Sequence, residues 1–202
     1  MCIITTSYRL SAVVDAVSPR GFKHAVEEDI LEPLGMRNTA LWTSEIDRLA
    51  TAYRATPEGL VVWDEPDGQW SRPPAFGDGA CGIVSTAEDV LAFSRMLLAG
   101  GAGVLPTAGV REMTRGQLTD EQKSFGALGP TFFENKSWGY CQAVYDGGAF
   151  GWNGGFGTSW VADPSHDLTI IVMSQRAFES PDLPVAHREI HAAAYASLGL
   201  GG

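Results

Sequence analysis

The last third of the chain restricts the possible folds more than any other segment. Three runs, SWGYCQAVY, GTSWVADP and LTIIVMSQ, are rich in β-branched and aromatic residues and are separated by Gly, Asp and Pro, the pattern of short strands punctuated by turns. Asp163-Pro164-Ser165-His166-Asp167 is short enough to reverse the chain, so the second and third strands are expected to form an antiparallel hairpin. From Pro184 to Leu198, Ile190, Ala193, Ala194, Ser197 and Leu198 fall on one helical face. Antiparallel strands closed by a helix are α+β architecture.

The first two thirds read as helices and loops. Leu10, Val13, Val14 and Val17 recur at the spacing of one helix face, and Ser18-Pro19-Arg20-Gly21 breaks the run. Phe22, Ala25, Val26 and Ile30 predict a second helix, stopped by Pro33 and Gly35. The string LVVWDEPDGQW predicts a hairpin from Leu60 to Trp70 around Pro-Asp-Gly. Ser85 and Glu88 in S-T-A-E predict a capping box. The helix it opens has Val90, Leu91, Ser94, Leu97 and Leu98 inward and ends at Gly100-Gly101.

Composition removes several classes of function. With 24 acidic and 14 basic residues the net charge is -10, and no cluster of Lys and Arg could neutralise a row of phosphates, so nucleic acid is not an expected partner. No run of about 18 apolar residues occurs, and the start MCIITTSYRL has no leader pattern. The expectation is a cytoplasmic chain with no membrane partner. Cys2, Cys81 and Cys141 are odd in number and widely spaced, which suits buried thiols better than disulfides or a zinc site.

Several local motifs lack their context. Gly77 to Gly82 fits G-x-G-x-x-G but follows a proline-rich loop rather than a strand. His187 and His191 stand one helical turn apart, yet the glutamate between them is misplaced for H-E-x-x-H and no third ligand is evident; they are expected on a solvated helix face. Asn135-Lys136-Ser137 is a glycosylation sequon by pattern alone. Neither G-x-S-x-G nor S-x-x-K occurs. No cofactor or metal is expected.

Four strings, ILEPLGMRNTALW, GACGIVSTAEDVLAFSRMLLAGG, GWNGGFGTSW and VADPSHDLTIIVMSQ, together resemble the serine hydrolases that share the fold of class C β-lactamases, penicillin-binding proteins and related esterases. Their order matches the C-terminal portion of that family. The resemblance implies a β-lactamase/transpeptidase-like fold: residues 1–135 as a mostly helical lobe with a hairpin and loops, and residues 136–202 as strands and helix of the sheet, one incomplete domain overall. The N-terminal strands and the S-x-x-K nucleophile helix are expected upstream of Met1.

By the same register the family's tyrosine motif falls at Ile3-Ile4-Thr5, and Tyr8 is out of register with no Asn two places on. The third motif, W-x-G in the esterase-like branch, corresponds to Trp152-Asn153-Gly154. The resemblance implies that these three residues bind substrate and that the backbone N–H of Gly155 supplies half of an oxyanion hole. Gly151, Gly154, Gly155 and Gly157 would let the strand lie close to an acyl group. Trp152 in place of a cation favours neutral esters over penicillins, because an indole can wall an apolar pocket but cannot pair with an anion. The expected partners are a small-molecule ester or amide, a complementing N-terminal segment, or a second copy through self-association.

Overall fold

Local chemistry sets where each helix of the first lobe begins and ends. The computed structural model describes residues 3–124 and 130–200. Helix α1 (Ile3–Val17) leads through a turn into α2 (Gly21–Val26), with Gly21 at φ +74° and the Asp15 carboxylate accepting from the Phe22 N–H at 2.9 Å. Leu10, Val13 and Val17, which share that face, are exposed, while Ser11 is buried; periodicity marks a face without saying which way it points. A π turn (Glu27–Leu31) then carries α2 into α3 (Glu32–Leu34). Pro33 therefore does not stop this run as expected. The wider turn ahead of it relieves the clash an unbroken α-helix would give, and Gly35, at φ +68°, is the stop.

The expected hairpin is displaced upstream. Strand β1 (Ala52–Thr56) pairs antiparallel with β2 (Gly59–Asp64), with Thr56 opposite Gly59. Pro66-Asp67-Gly68 leads instead into a single 3-10 turn (Gln69–Ser71), because the Gln-Trp piece is too short to hold a ladder. Glycines 77 and 79 sit in a loop pressed on Phe22, where a Cβ at Gly77 would lie 2.4 Å from the ring; close packing accounts for these glycines.

Helix α4 (Ala87–Leu98) is capped one residue later than expected. The Thr86 hydroxyl accepts from the Asp89 N–H at 3.3 Å, whereas Ser85 Oγ lies 2.7 Å from Thr39 Oγ1. Asp89, Ser94, Met96 and Leu97 are its buried residues, and Gly100 and Gly101, both at positive φ, follow its end. Helices α5 (Thr107–Met113) and α6 (Asp120–Ser124) lead to the sheet.

That sheet is a five-stranded antiparallel meander in chain order: β3 (Lys136–Trp138), β4 (Ala143–Tyr145), β5 (Phe150–Gly154), β6 (Thr158–Asp163) and β7 (Leu168–Met173). The run SWGYCQAVY is two strands rather than one, folded at a turn where Cys141 takes φ +63°. Cys141 is exposed and Cys81 half-buried, so neither is the deeply buried thiol expected, and Cys2 lies outside the described residues. The hairpin between β6 and β7 closes at Asp163 opposite Leu168, as expected.

Alternation along the strands sends Phe150, Trp160 and Ala162 toward α4, where they pack with Met96, Leu97, Val110 and Val144 as the main core. Ser94 and Thr169 hydroxyls meet within it at 2.8 Å. The opposite face receives α7 (Val185–Ser197). Its inward residues are His187, His191 and Tyr195, while Ile190 and Leu198 are exposed. The expected apolar face of α7 is thus outward, and His187 is buried rather than solvated. No helix among the described residues is long and apolar enough to cross a membrane.

Candidate functional site

The β5–β6 hairpin concentrates the glycines, and each has a different reason. A Cβ on Gly151 would come within 2.0 Å of the Trp160 carbonyl oxygen, and one on Gly154 within 2.5 Å of Thr158 Oγ1. Gly157 sits at φ +102°, a region L side chains rarely adopt, with the Arg176 carbonyl 2.5 Å from where its Cβ would be. Gly155 is different: nothing lies within 4 Å of its missing side chain. One flank of Gly155 is open to an incoming group.

This turn is fixed by the segment after β7. The Phe178 N–H donates to the Gly155 carbonyl at 2.8 Å. Ser174 donates to the Gly157 carbonyl twice, from its N–H at 2.9 Å and its hydroxyl at 2.8 Å. The same segment grips β1, since the Tyr53 N–H donates to the Gln175 carbonyl at 2.7 Å and the Ala177 N–H to the Tyr53 carbonyl at 2.8 Å.

The pleat divides the expected quartet. Trp152 is half-buried and meets Trp138 edge-on, with ring centroids 4.7 Å apart. Asn153 points the other way, into a cavity of about 540 Å³ between the sheet and α7. Gly154 and Gly155 form the end of the strand and the start of the turn. Trp152 and Gly154 therefore lie on the face of the sheet opposite to Asn153. The segment at Ile3 to Thr5 belongs to α1, and the side chains up to Tyr8 lie outside the described residues.

The cavity beside Asn153 is polar and self-satisfied at one end. Asp163 accepts from the Tyr195 hydroxyl at 3.0 Å, from His166 Nδ1 at 2.8 Å and from the Ser165 N–H at 2.9 Å. Burial alone would raise its carboxyl; these bonds outweigh burial and bring it below the ordinary range. Burial, with Asp163 alongside, pushes the Tyr195 hydroxyl up to about 12. Lys136 also lines the cavity, stacked over the Phe132 ring at 3.8 Å, and burial lowers its ammonium against the opposing pull of Asp182. Ser159 stands nearby, its hydroxyl 3.0 Å from His187 Nδ1 and 3.1 Å from His191 Nε2. Among the described residues no group of three or more His, Cys, Asp and Glu side chains could hold a metal ion.

Residues 5–195 match the protein family described as Beta-lactamase. The chain belongs to that family. An uncharacterized protein of Mycobacterium tuberculosis is 33% identical over 195 residues, covering 87% of this chain and 48% of that protein. Esterase EstB of Burkholderia gladioli is 28% identical over 204 residues, covering 87% of this chain and 50% of EstB. Among solved structures, EstCE1, a hydrolase with promiscuous acyltransferase activity, superposes with a TM-score of 0.72 at 25% identity, over 92% of this chain and 54% of that one. The chain thus has the β-lactamase/transpeptidase-like fold and spans about half the length of the curated relatives it matches.

Two clusters in this beta-lactamase-family chain escaped the sequence. The Ser159, His187 and His191 group joins residues 28 and 32 apart, and only the helical spacing of the two histidines could have pointed to it. The second joins Trp63, Trp70 and Phe156 around the turn that carries Gly155; its one local sign was the seven-residue spacing of the tryptophans.

Proposed function

We propose that this chain is the C-terminal portion of a carboxylesterase-type serine hydrolase of the beta-lactamase family, acting through a serine acyl-enzyme whose serine is supplied from outside the chain. The observation that carries this reading is the open flank of Gly155 on a turn held rigid by Ser174 and Phe178. A backbone N–H aimed from a fixed turn is what an oxyanion hole requires, because its dipole needs no reorganisation as charge develops. Trp152 and Gly154 border the acyl group, and the neutral indole favours uncharged esters over anionic substrates. The names of two relatives, an esterase and a hydrolase with acyltransferase activity, support the same class. In this reading residues 1–135 are the mostly helical lobe beside the site, with its hairpin and loops, and residues 136–202 the strands and helix of the sheet.

The test is complementation. An N-terminal fragment of a close relative carrying S-x-x-K and the tyrosine motif is mixed with this chain, and hydrolysis of 4-nitrophenyl butyrate is followed. Activity in the mixture, absent from either part, is the expected result. An equimolar complex that stays inactive would sink the reading. The lack of S-x-x-K in the chain favours a second reading, a non-catalytic homologue that serves as a binding or assembly module; a stable complex without turnover is its signature.

A further inference from the structure

Three aromatic rings from separate parts of the chain meet at the turn that carries Gly155. Phe156 stacks on Trp63 of β2, with centroids 4.8 Å apart and planes 20° from parallel, and meets Trp70 of the 3-10 turn edge-on at 5.7 Å. These rings are not core. Trp63 remains 37% and Phe156 38% exposed, an unusual placement for large apolar side chains that have already found one another.

Hydrogen bonds fix their position relative to Gly155. The segment 174–178 bonds to Tyr53, which carries the hairpin bearing Trp63, and to Gly155 and Gly157, which flank Phe156. Hairpin, strap and glycine turn thus share one frame, and Phe156 follows Gly155 directly in sequence, its Cα about 3.8 Å from that of Gly155. Arg176, the one basic residue on the strap, is already paired with Glu179. A flat hydrocarbon would find faces to stack on.

We propose that Trp63, Trp70 and Phe156 form a wall that receives a flat aryl group of the substrate and sets the adjoining carbonyl beside Gly155. This rests on the esterase reading for its purpose, but the binding itself needs no turnover. Trp63 is the residue that selects aryl over aliphatic groups, and Phe156 ties the wall to the carbonyl position.

The probe is 2-acetonaphthone, a ketone that carries the aryl and carbonyl groups but cannot be hydrolysed, titrated into the whole chain while the six indole N–H signals are followed by NMR. The signals of Trp63 and Trp70 are expected to move together and saturate, with those of Trp42 and Trp160 unmoved. Trp63→Ala should weaken binding about tenfold, a change equivalent to ~1.4 kcal/mol. Pinacolone, an aliphatic ketone, should bind at least about tenfold more weakly than the naphthyl compound.

Unchanged affinity in Trp63→Ala, or equal binding of both ketones, overturns the proposal. If Trp63→Ala fails to fold by circular dichroism, Trp63→Leu, which keeps the bulk without the ring, takes its place with the same expected loss. Movement of the Trp63 signal on dilution without ligand would make a second copy the occupant and also overturn it. Ketone binding with failed complementation would leave the wall standing and remove the hydrolase; active complementation without ketone binding would do the reverse.

Discussion

His187 Nδ1 lies 3.0 Å from the Ser159 hydroxyl, at the buried contact between α7 and β6. His191 Nε2 reaches the same oxygen at 3.1 Å. A hydroxyl has one proton to give, so at most one imidazole accepts it and the other must donate its own N–H. That arrangement requires the accepting ring to be neutral. Burial lowers both, and for His191 the neighbouring His187 adds to it.

A histidine whose folded pKa is depressed takes up its proton more readily when unfolded, so it stabilises the fold above its unfolded pKa and loses that stabilisation as pH falls. The urea midpoint is therefore expected to be flat above about pH 7 and to drop as pH falls through about 6.5, the ordinary histidine value. His187→Gln should reduce the slope of that drop. A midpoint that does not fall between pH 8 and pH 5.5 would show that the imidazoles do not titrate with folding.

The buried Asp89 carboxylate joins two segments: it accepts from the Asn38 N–H at 2.8 Å and the Thr39 hydroxyl at 2.7 Å. Asp89→Ala leaves these donors without their acceptor, and the expected cost is about 2–4 kcal/mol. Thr86→Ala removes only the cap and should cost ~1 kcal/mol. Chemical denaturation ranks the two, and a larger loss for Thr86→Ala would contradict the role given to Asp89.

Legibility followed the range of the signal. The end of α4 at Gly100-Gly101, the β6–β7 hairpin and the extent of α7 were readable because each is set by residues adjacent in sequence. The direction of α7 was not. Its apolar stripe at Ile190 and Leu198 obeys the helical period, yet the buried stripe is His187, His191 and Tyr195, chosen by Ser159 and Asp163 on distant strands. Likewise β2 found its partner upstream because Ala52–Thr56 offers a full ladder. The W-x-G string was readable only as a likeness; that its middle residue faces the other side of the sheet follows from the pleat.

Two glycines of one hairpin should respond oppositely to the same substitution. Gly151→Ala drives a Cβ to 2.0 Å from the Trp160 carbonyl oxygen, inside the sheet, where backbone must move; a loss of several kcal/mol, on the order of 3 or more, or failure to fold is expected. Gly155→Ala meets open space and should leave the melting temperature within about 3 °C, since surface changes seldom exceed ~0.5 kcal/mol. Thermal unfolding of both variants decides it. Equal losses would mean that the open flank is not open in solution.

A fluorophosphonate probe should label no serine of this chain stoichiometrically. Ser159, bonded to two imidazoles, is 2% exposed, so the probe cannot approach it in line. Labelling abolished by Ser159→Ala would show that the pair of histidines activates a nucleophile after all.

In the complemented hydrolase, the contribution of Gly155 can be separated from that of Trp152 by the atoms each supplies. Proline at 155 removes the N–H that would face the oxyanion, and losing one such donor lowers kcat by roughly 10²–10³. Gly155→Ala keeps the N–H and has room for its methyl group, so it reports any loss due to shape alone and should retain most of the activity. Trp152→Ala removes a ring that packs on Trp138 but transfers no proton; turnover should fall, chiefly through a raised KM, and not vanish. The order expected from initial rates on 4-nitrophenyl butyrate is Gly155→Ala above Trp152→Ala above Gly155→Pro. Full activity in Gly155→Pro, with the complex intact by sedimentation, would remove Gly155 from the site and leave its glycine run as a structural turn.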